Sequence, residues 1–549
     1  MFLQKLKTKS ISLFAFNLLL AIWLGIFLNF AFYEKIQSLT PYTGIKAGMF
    51  VAASVIVVVA AYHFIFQLFN WKWTAKPVAI VLVFIGGFAS YAVNTLGVLI
   101  TSEQVQNLMQ TDVAEARDTW SWHLVVWTLG MTVLPIIAIL MVKLKPEPML
   151  RQIVKKVIAS IVSLALVGGL LFVFYVDFAA IFREHRDLKG MISPQNMIAS
   201  FASYYKKKAP KENLPLVTYG EDASMQKANI AALPKLMVLV VGETARAENF
   251  SLNGYAKNTN PKLAKQDLIN FAQVSSCGTA TAVSVPCMFS GMPRKEYDER
   301  LASHREGLLD IAKRAGYQVT WIDNNSGCKG TCDRVEQFKI PEPIQKKWCK
   351  DEECFDDILI DSLKAYLATI PKDDTRPRLV VLHQMGSHGP AYYKRIPAEF
   401  KVFKPTCDTN AIQGCSRDAL VNSYDNTLLY TDYVLDSLIE TLKGQTQHEA
   451  GLWYLSDHGE STGESGMYLH GAPYAIAPTQ QTHVPMFMWF SDLWKKQAPE
   501  QMKCLAKQNK SELSQDNLFP SLLSLLDVKT QVIDEKHNML QQCQLKTKA

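Results

Sequence analysis

The residues of this sequence best suited to chemistry sit at the ends of apolar runs. Glu243 closes "LMVLVVGE", and Asp457 with His458 closes "GLWYLSDHG". His383 lies within "RLVVLHQMG", His388 follows it in "LHQMGSHGP", and His470 comes later in "YLHG". Carboxylates and imidazoles are the ligands zinc takes when thiolates are committed elsewhere. One acid or histidine at a strand end is commonly structural. Acids and histidines at three separate strand ends, with His470 beyond them, point to a metal centre. Glu243, Asp457 and His458 leave one ligand to find. The stretch "SSCGTATAVSVPCMFS", residues 275–290, offers Thr279, Thr281 and Ser284 between Cys277 and Cys287. A hydroxyl bound to zinc loses its proton far more readily, as bound water does, and becomes a nucleophile near neutral pH. A helix opening at "TAVSV" would turn its first N–H groups toward an incoming phosphate. The structural alternative is that these hydroxyls cap that helix, a role that suits Thr279 and Ser284.

Such residues need a frame. The runs at 236–243, 317–322, 378–386, 451–459 and 484–490 are continuously apolar and of buried-strand length. Helical patterns separate them: "REGLLDIAKRAG" stops at Gly316, and 417–443 repeats Leu420, Tyr424, Leu428, Leu435, Leu438 and Leu442 near helical spacing. Strands buried on both faces and alternating with helices predict a mainly parallel sheet covered by helices on both sides. Chemistry in such sheets lies past the carboxyl ends of the strands.

The other half of the 549-residue chain differs. The apolar stretches at 11–33, 47–69, 77–100, 121–142 and 157–182 are each long enough to cross a bilayer, which takes about 20 residues. We read the first as an anchor helix and not a cleaved signal, since it is too long and has no small-residue cleavage site. Lys5, Lys7 and Lys9 precede it, Lys72 and Lys76 follow the second, and Lys143, Lys145, Arg151, Lys155 and Lys156 follow the fourth. The loop after the third carries Glu103, Asp112, Glu115 and Asp118 against Arg117. The positive-inside rule therefore places the N-terminus in the cytoplasm, and five crossings put the remainder outside. We read 1–182 as a transmembrane domain, 183–234 as an interfacial helix and linker, and 235–549 as the catalytic domain. Tyr204, Tyr205 and Lys206 to Lys208 would sit at lipid headgroups, unless this stretch is a plain solvated linker.

All ten cysteines fall in the outer half. They run as close pairs, Cys277/Cys287, Cys328/Cys332, Cys349/Cys354 and Cys407/Cys415, with Cys504 and Cys543 remaining. An even number in an extracytoplasmic domain reads as five disulfides. No two pairs repeat a zinc-ribbon spacing. The net charge of +7 is accounted for by cytoplasmic lysines, and nothing indicates nucleic acid.

Beyond these patterns, "VVGETARAENFSLNGY", "SSCGTATAVSVPCMFS", "IDNNSGCKGTCD", "LHQMGSHGPAYYKR", "SYDNTLLYTDYVL" and "YLSDHGESTGESGMYLHG" closely resemble the phosphoethanolamine transferases that modify lipid A. Colistin-resistance enzymes belong to that family, within the alkaline phosphatase and sulfatase superfamily. The resemblance covers essentially the whole chain and implies an alkaline phosphatase-like catalytic domain. It makes Thr281 the nucleophile, with Glu243, Asp457 and His458 its partners on one zinc ion. It maps a phosphoethanolamine pocket onto Ser326, Lys329, His388 and His470. "QNLMQTDVAEARD" resembles the segment that brings Asn107, Thr111 and Glu115 to that pocket, and their spacing of four places them on one helical face. Lys329 departs locally, lying inside the tight Cys328–Cys332 loop. His383 and His470 are the residues available to a second ion.

The implied reaction takes phosphoethanolamine from phosphatidylethanolamine, holds it as an ester on Thr281, and passes it to a phosphate of lipid A. Lys329, His388 and His470 would neutralise charge or move protons. The expected setting is the bacterial inner membrane with a periplasmic catalytic domain, acting as a monomer and conferring polymyxin resistance. Two other readings are compatible with these motifs: a transferase acting on core heptose or a surface protein, and an inactive lipid A-binding membrane sensor. An intact nucleophile and ligand set argues against the sensor.

Overall fold

A computed structural model describes residues 10–111, 113–207, 214–225, 233–350, 353–371 and 373–541. Lys5, Lys7, Lys9, Asp112, Lys208 and Cys543, named above, lie outside the described residues. The chain divides into two compact units, Met1–Val105 with Trp120–Lys207, and Gln106–Thr119 with Lys208–Ala549.

In the first unit Gly44–Phe69, Ala75–Leu96, Trp122–Met141 and Met149–Val173 are long and apolar enough to cross a membrane. The expected first span is instead a pair, Leu13–Phe27 and Phe30–Leu39, bent by 60°. The bend has a local cause. Trp23–Phe27 winds as a π-helix, which disturbs the usual pairing of carbonyls in the turn before the break. The Asn29 amide donates to Leu24 O at 2.7 Å and so satisfies a carbonyl that a bilayer would not. Taken as one broken span, the pair brings the crossings to five among the described residues. Ile158, Ile161 and Leu164 are exposed, a face suited to lipid. Ser10–Ile11 pairs with Lys143–Leu144, so the first span begins at the same end of the unit where the fourth finishes.

The second unit is built on a seven-stranded sheet. In chain order its strands are β1 (Lys235–Gly242), β2 (Leu268–Phe271), β3 (Gln318–Asp323), β4 (Glu336–Gln337), β5 (Arg378–His383), β6 (Glu449–Ser456) and β7 (Met486–Phe490). Their spatial order is β2-β7-β6-β1-β5-β3-β4. From β6 to β4 every pair is parallel, whereas β7 runs antiparallel to both β6 and β2. The sheet is mainly parallel with an antiparallel edge. Direction of pairing leaves no mark in a buried apolar strand, so β7 was indistinguishable in sequence from its parallel neighbours.

Alternation along the central strands divides their side chains between two cores. Met237, Leu239 and Val241 of β1 enter one, while Leu236, Val238 and Val240 enter the other. The first core is closed by α3 (Thr281–Ser290), α4 (Leu308–Arg314) and α7 (Leu518–Leu525). The second is closed by α5 (Asp357–Ala368) and α6 (Arg417–Lys443). The helices α1 (Ser102–Gln110, from Gln106 onward) and α2 (Val113–Asp118) also belong to this unit. Ser456 is in register with Gly242, and His383 with both Val241 and Asp323. The strand ends that carry the acids and histidines therefore share one level of the sheet.

Cys277–Cys287, Cys328–Cys332, Cys349–Cys354 and Cys407–Cys415 are disulfides. Cys504 is also disulfide-bonded.

Candidate active site

Glu243 is the first residue past β1, and Asp457 and His458 are the first two past β6. All three are buried. Each offers one ligand atom, and these atoms lie within 4.8 Å of one another. Glu243 Oε1 and Asp457 Oδ2 are buried without a hydrogen-bond partner, and each lies 3.3 Å from His458 Nε2. His458 Nδ1 lies 2.8 Å from Gly459 O, so an Nδ1–H donated there leaves the Nε2 lone pair facing the carboxylates. Two buried carboxylates and an imidazole with an inward lone pair are a donor set for a divalent cation, which would relieve the charge that burial makes costly.

Thr281 opens α3 and completes the group. Its hydroxyl donates to Glu243 Oε2 at 3.0 Å and lies 3.2 Å from His458 Nε2. The N-cap is Ala280, whose side chain caps nothing. The expectation that Thr279 and Ser284 cap α3 is corrected here. Thr279 Oγ1 donates to Ala472 O at 2.6 Å, and Ser284 Oγ donates to Asp457 O at 2.6 Å while accepting from Gly278 N at 2.9 Å. Ser284 fastens the helix to the β6 end, and Thr279 fastens the loop to the segment that follows His470. The first turn of α3 keeps its N–H groups free of side-chain caps, an arrangement suited to anions.

Several supporting residues escaped sequence reasoning. Asn325 donates to Glu243 Oε2 at 2.9 Å and to Gln384 O at 2.7 Å. Gln515 donates to Ser456 O and Asp457 O, both at 2.7 Å, and accepts from Cys277 N at 2.6 Å. Asp356 accepts from the N–H groups of Met385 and Gly386 at 2.9 Å. Gly386 has φ +54°, and a Cβ there would stand 2.6 Å from Glu243 O. Thr244 holds φ 54°, a strained conformation for a β-branched residue, with its N–H 3.2 Å from Asp457 Oδ1.

Charge accumulates beyond the metal-type cluster. His388 Nε2 lies 2.9 Å from Glu115 Oε1. The ring of His470 is 5.2 Å from that of His388 and 4.6 Å from that of His458, which links the two groups. Glu460 Oε1 lies 3.4 Å from His470 Nδ1. Lys329 Nζ donates to Ser326 Oγ at 2.8 Å and Ser326 O at 3.0 Å, and lies 3.4 Å from Gln110 O. The tight disulfide loop holds Lys329 at φ 52°, between Gly327 and Gly330, both also at positive φ. The single helical face expected for Asn107, Thr111 and Glu115 is absent: α1 ends at Gln110 and α2 begins at Val113. Thr111 lies between them and turns its hydroxyl onto Asn107 O at 2.8 Å. His383 is outside the close donor group. Its Nδ1 lies 2.9 Å from Asp323 Oδ1, and its Nε2 is buried without a hydrogen-bond partner.

The titration of these groups follows their surroundings. Burial disfavours protonated His388, but the Glu115 carboxylate outweighs it and pushes the imidazole up to about 9. Burial would raise Glu115, and His388 more than reverses this, leaving the carboxyl below its usual range. Burial and then the Glu243 charge push Asp457 up to about 6. Glu243 is held low, its burial overcome by His458. Burial disfavours protonated His458 and the Asp457 and Glu243 carboxylates favour it; a cation held by the same carboxylates would compete with that proton for Nε2.

The chain is similar to known proteins in sequence and in fold. The family described as Sulfatase matches residues 235–528, and the family described as Phosphoethanolamine transferase EptA/EptB matches residues 58–209. Phosphoethanolamine transferase EptA of Escherichia coli (strain K12) is 41% identical over 543 residues, 98% of each chain. Phosphatidylethanolamine transferase Mcr-2 of Escherichia coli is 34% identical over 545 residues, 97% of this chain and 98% of that relative. Among solved structures, the integral membrane protein lipooligosaccharide phosphoethanolamine transferase A (EptA) from Neisseria meningitidis superposes with a TM-score of 0.91 at 36% identity, covering 97% of this chain and 99% of the other.

Proposed function

The chain belongs to the EptA/EptB family of phosphoethanolamine transferases, and we propose that it moves phosphoethanolamine from phosphatidylethanolamine to a phosphate of lipid A through an ester on Thr281. The observation that carries this reading is the buried Thr281 hydroxyl, held between Glu243 and His458 at the uncapped start of α3. The names of the relatives support donor and acceptor: one is a phosphatidylethanolamine transferase, another a lipooligosaccharide phosphoethanolamine transferase.

In the first step a bond forms between Thr281 Oγ1 and phosphorus, and the bond from phosphorus to the diacylglycerol oxygen breaks. Glu243 Oε2 already accepts the hydroxyl hydrogen and is within reach of the departing proton. The diacylglycerol oxygen leaves with a proton from the pocket. His388, pushed up to about 9, is protonated at neutral pH and suited to supply it or to neutralise the leaving oxygen. The N–H groups opening α3 face the phosphoryl oxygens. Glu115 adds negative charge for the ammonium of the headgroup, and Lys329 adds positive charge for the phosphate. In the second step an oxygen of the lipid A phosphate forms a bond to the same phosphorus, the bond from phosphorus to Thr281 Oγ1 breaks, and the proton left at Glu243 returns to the threonine oxygen. Zinc, held by Glu243, Thr281, Asp457 and His458, would supply Lewis-acid activation of the hydroxyl and neutralise phosphoryl charge. His383 and His470 are the side chains available to a second ion.

Five membrane crossings with basic residues at 72, 76, 143, 145, 151, 155 and 156 on one side favour a periplasmic catalytic unit, and its disulfides fit an oxidising compartment. Donor and acceptor both carry acyl chains, so anchoring raises their effective concentration at the site. Adding an ammonium to an anionic lipid A phosphate weakens its attraction for cationic peptides, the physical basis of polymyxin resistance. Mass spectrometry of lipid A from cells expressing the wild type should show a gain of about 123 Da, the mass of the transferred group. The Thr281→Ala strain should show none. An unmodified lipid A in both strains would remove lipid A as the acceptor.

A further inference from the structure

We propose that Asp118 is a positioning residue, which holds α2 on the Tyr392–Arg395 turn so that Glu115 meets His388. The proposal rests on the reading that Glu115 and His388 face the donor headgroup. With six residues, α2 is too short to hold its conformation alone, so its place depends on what anchors it. Glu115 and Asp118 are three residues apart and share a face of that helix. Glu115 Oε1 lies 2.9 Å from His388 Nε2. Asp118, only 1% exposed, receives Lys394 Nζ at 2.6 Å on one oxygen and an Arg395 guanidinium nitrogen on the other. The Arg395 side chain is itself 3% exposed.

Arg395 makes the link specific. Its Nε donates to His388 O at 3.0 Å, and Nη1 lies 3.2 Å from Glu353 Oε2. One guanidinium thus grips α2 through Asp118 and the backbone of the residue that Glu115 pairs with. The Lys329 contact to Gln110 O, at 3.4 Å, is a weaker tie on the same segment. A carboxylate this deeply buried persists only when paired and hydrogen-bonded, and removing one member leaves a charge without its partner. None of Asp118, Lys394 and Arg395 belongs to the Thr281 cluster. Their effect on turnover would pass through Glu115.

The test uses the full-length protein and phosphatidylethanolamine labelled on an acyl chain, in mixed micelles, with release of labelled diacylglycerol as the readout. For Asp118→Asn we expect KM to rise about tenfold, which corresponds to about 1.4 kcal/mol, with kcat changed by less than about threefold. Lys394→Gln should move KM the same way by less, since Arg395 still holds Asp118. Glu115→Gln alone should also raise KM. The Asp118→Asn, Glu115→Gln double variant should be no worse than the weaker single variant, because both changes remove one interaction. Multiplying effects in the double variant would overturn the proposal, as would a wild-type KM for Asp118→Asn beside a raised KM for Glu115→Gln. Loss of kcat and metal content at unchanged KM would make Asp118 a residue of the fold and also overturn it. A wild-type KM for Glu115→Gln would overturn this proposal together with the donor-pocket reading on which it rests.

Discussion

The Thr281 hydroxyl donates to Glu243 Oε2 at 3.0 Å across 38 residues of chain. Thr281 is the first residue of α3 and Glu243 follows directly on β1, and both side chains are buried, so neither is free to drift. Small changes in what surrounds either residue should therefore appear in turnover.

Asn325 holds the same Glu243 oxygen at 2.9 Å and ties it to Gln384 O. Replacing Asn325 with Ala should leave the fold intact. It should lower metal affinity or turnover by about 10–100-fold, the range for partners that orient metal ligands. Metal analysis alongside donor turnover checks this, and wild-type values in both would make Asn325 a bystander.

Gly386 holds φ +54°, and a Cβ added there would stand 2.6 Å from Glu243 O. Gly386→Ala adds left-handed strain of about 1–2 kcal/mol and a methyl group where a backbone oxygen already stands. Both thermal stability and transfer should fall, because relief requires moving Glu243. A purely local strain effect would lower the thermal midpoint and leave transfer at the wild-type rate.

The His388 and Glu115 pair sets a pH window. The folded state raises His388 from 6.5 to about 9, so this contribution is complete below 6.5 and lost as pH rises through about 9. Glu115 is lowered from 4.5, so its contribution is present above 4.5 and lost as pH falls through its depressed value. Donor KM should be flat between about pH 6 and 8 and climb as pH passes about 9. In Glu115→Gln the climb should begin closer to the ordinary imidazole range. An identical alkaline limb in both proteins would show that Glu115 does not set it.

Much of this site was legible because parallel strands buried on both faces are unbroken apolar runs, and the residues ending them stand out. Glu243, Asp457 and His458, which the fold brings together, stand out in that way. Thr281 could not be separated from Thr279 and Ser284 by residue type alone, and the family resemblance singled it out. Geometry gives the other two different work, on Ala472 O and Asp457 O. Asn325 and Gln515 left no signal, since their partners lie 82 and 58 residues away in sequence. The spacing of Asn107, Thr111 and Glu115 suggested a continuous helix, but spacing does not record where a helix stops. The bend in the first span was hidden for a related reason: Asn29 within an apolar run reads as a tolerated polar residue until its carbonyl partner is seen.

Thr281 is proposed to carry the transferred group between donor and acceptor. The most direct measurement is the intact mass of full-length protein incubated with phosphatidylethanolamine and no acceptor, followed by peptide mapping of residues 275–290. An added mass of about 123 Da is expected on wild-type protein, located at Thr281, cleared when lipid A is supplied, and absent from Thr281→Ala. Donor turned over by the wild type with Thr281 unmodified, or transfer retained by Thr281→Ala, would contradict it.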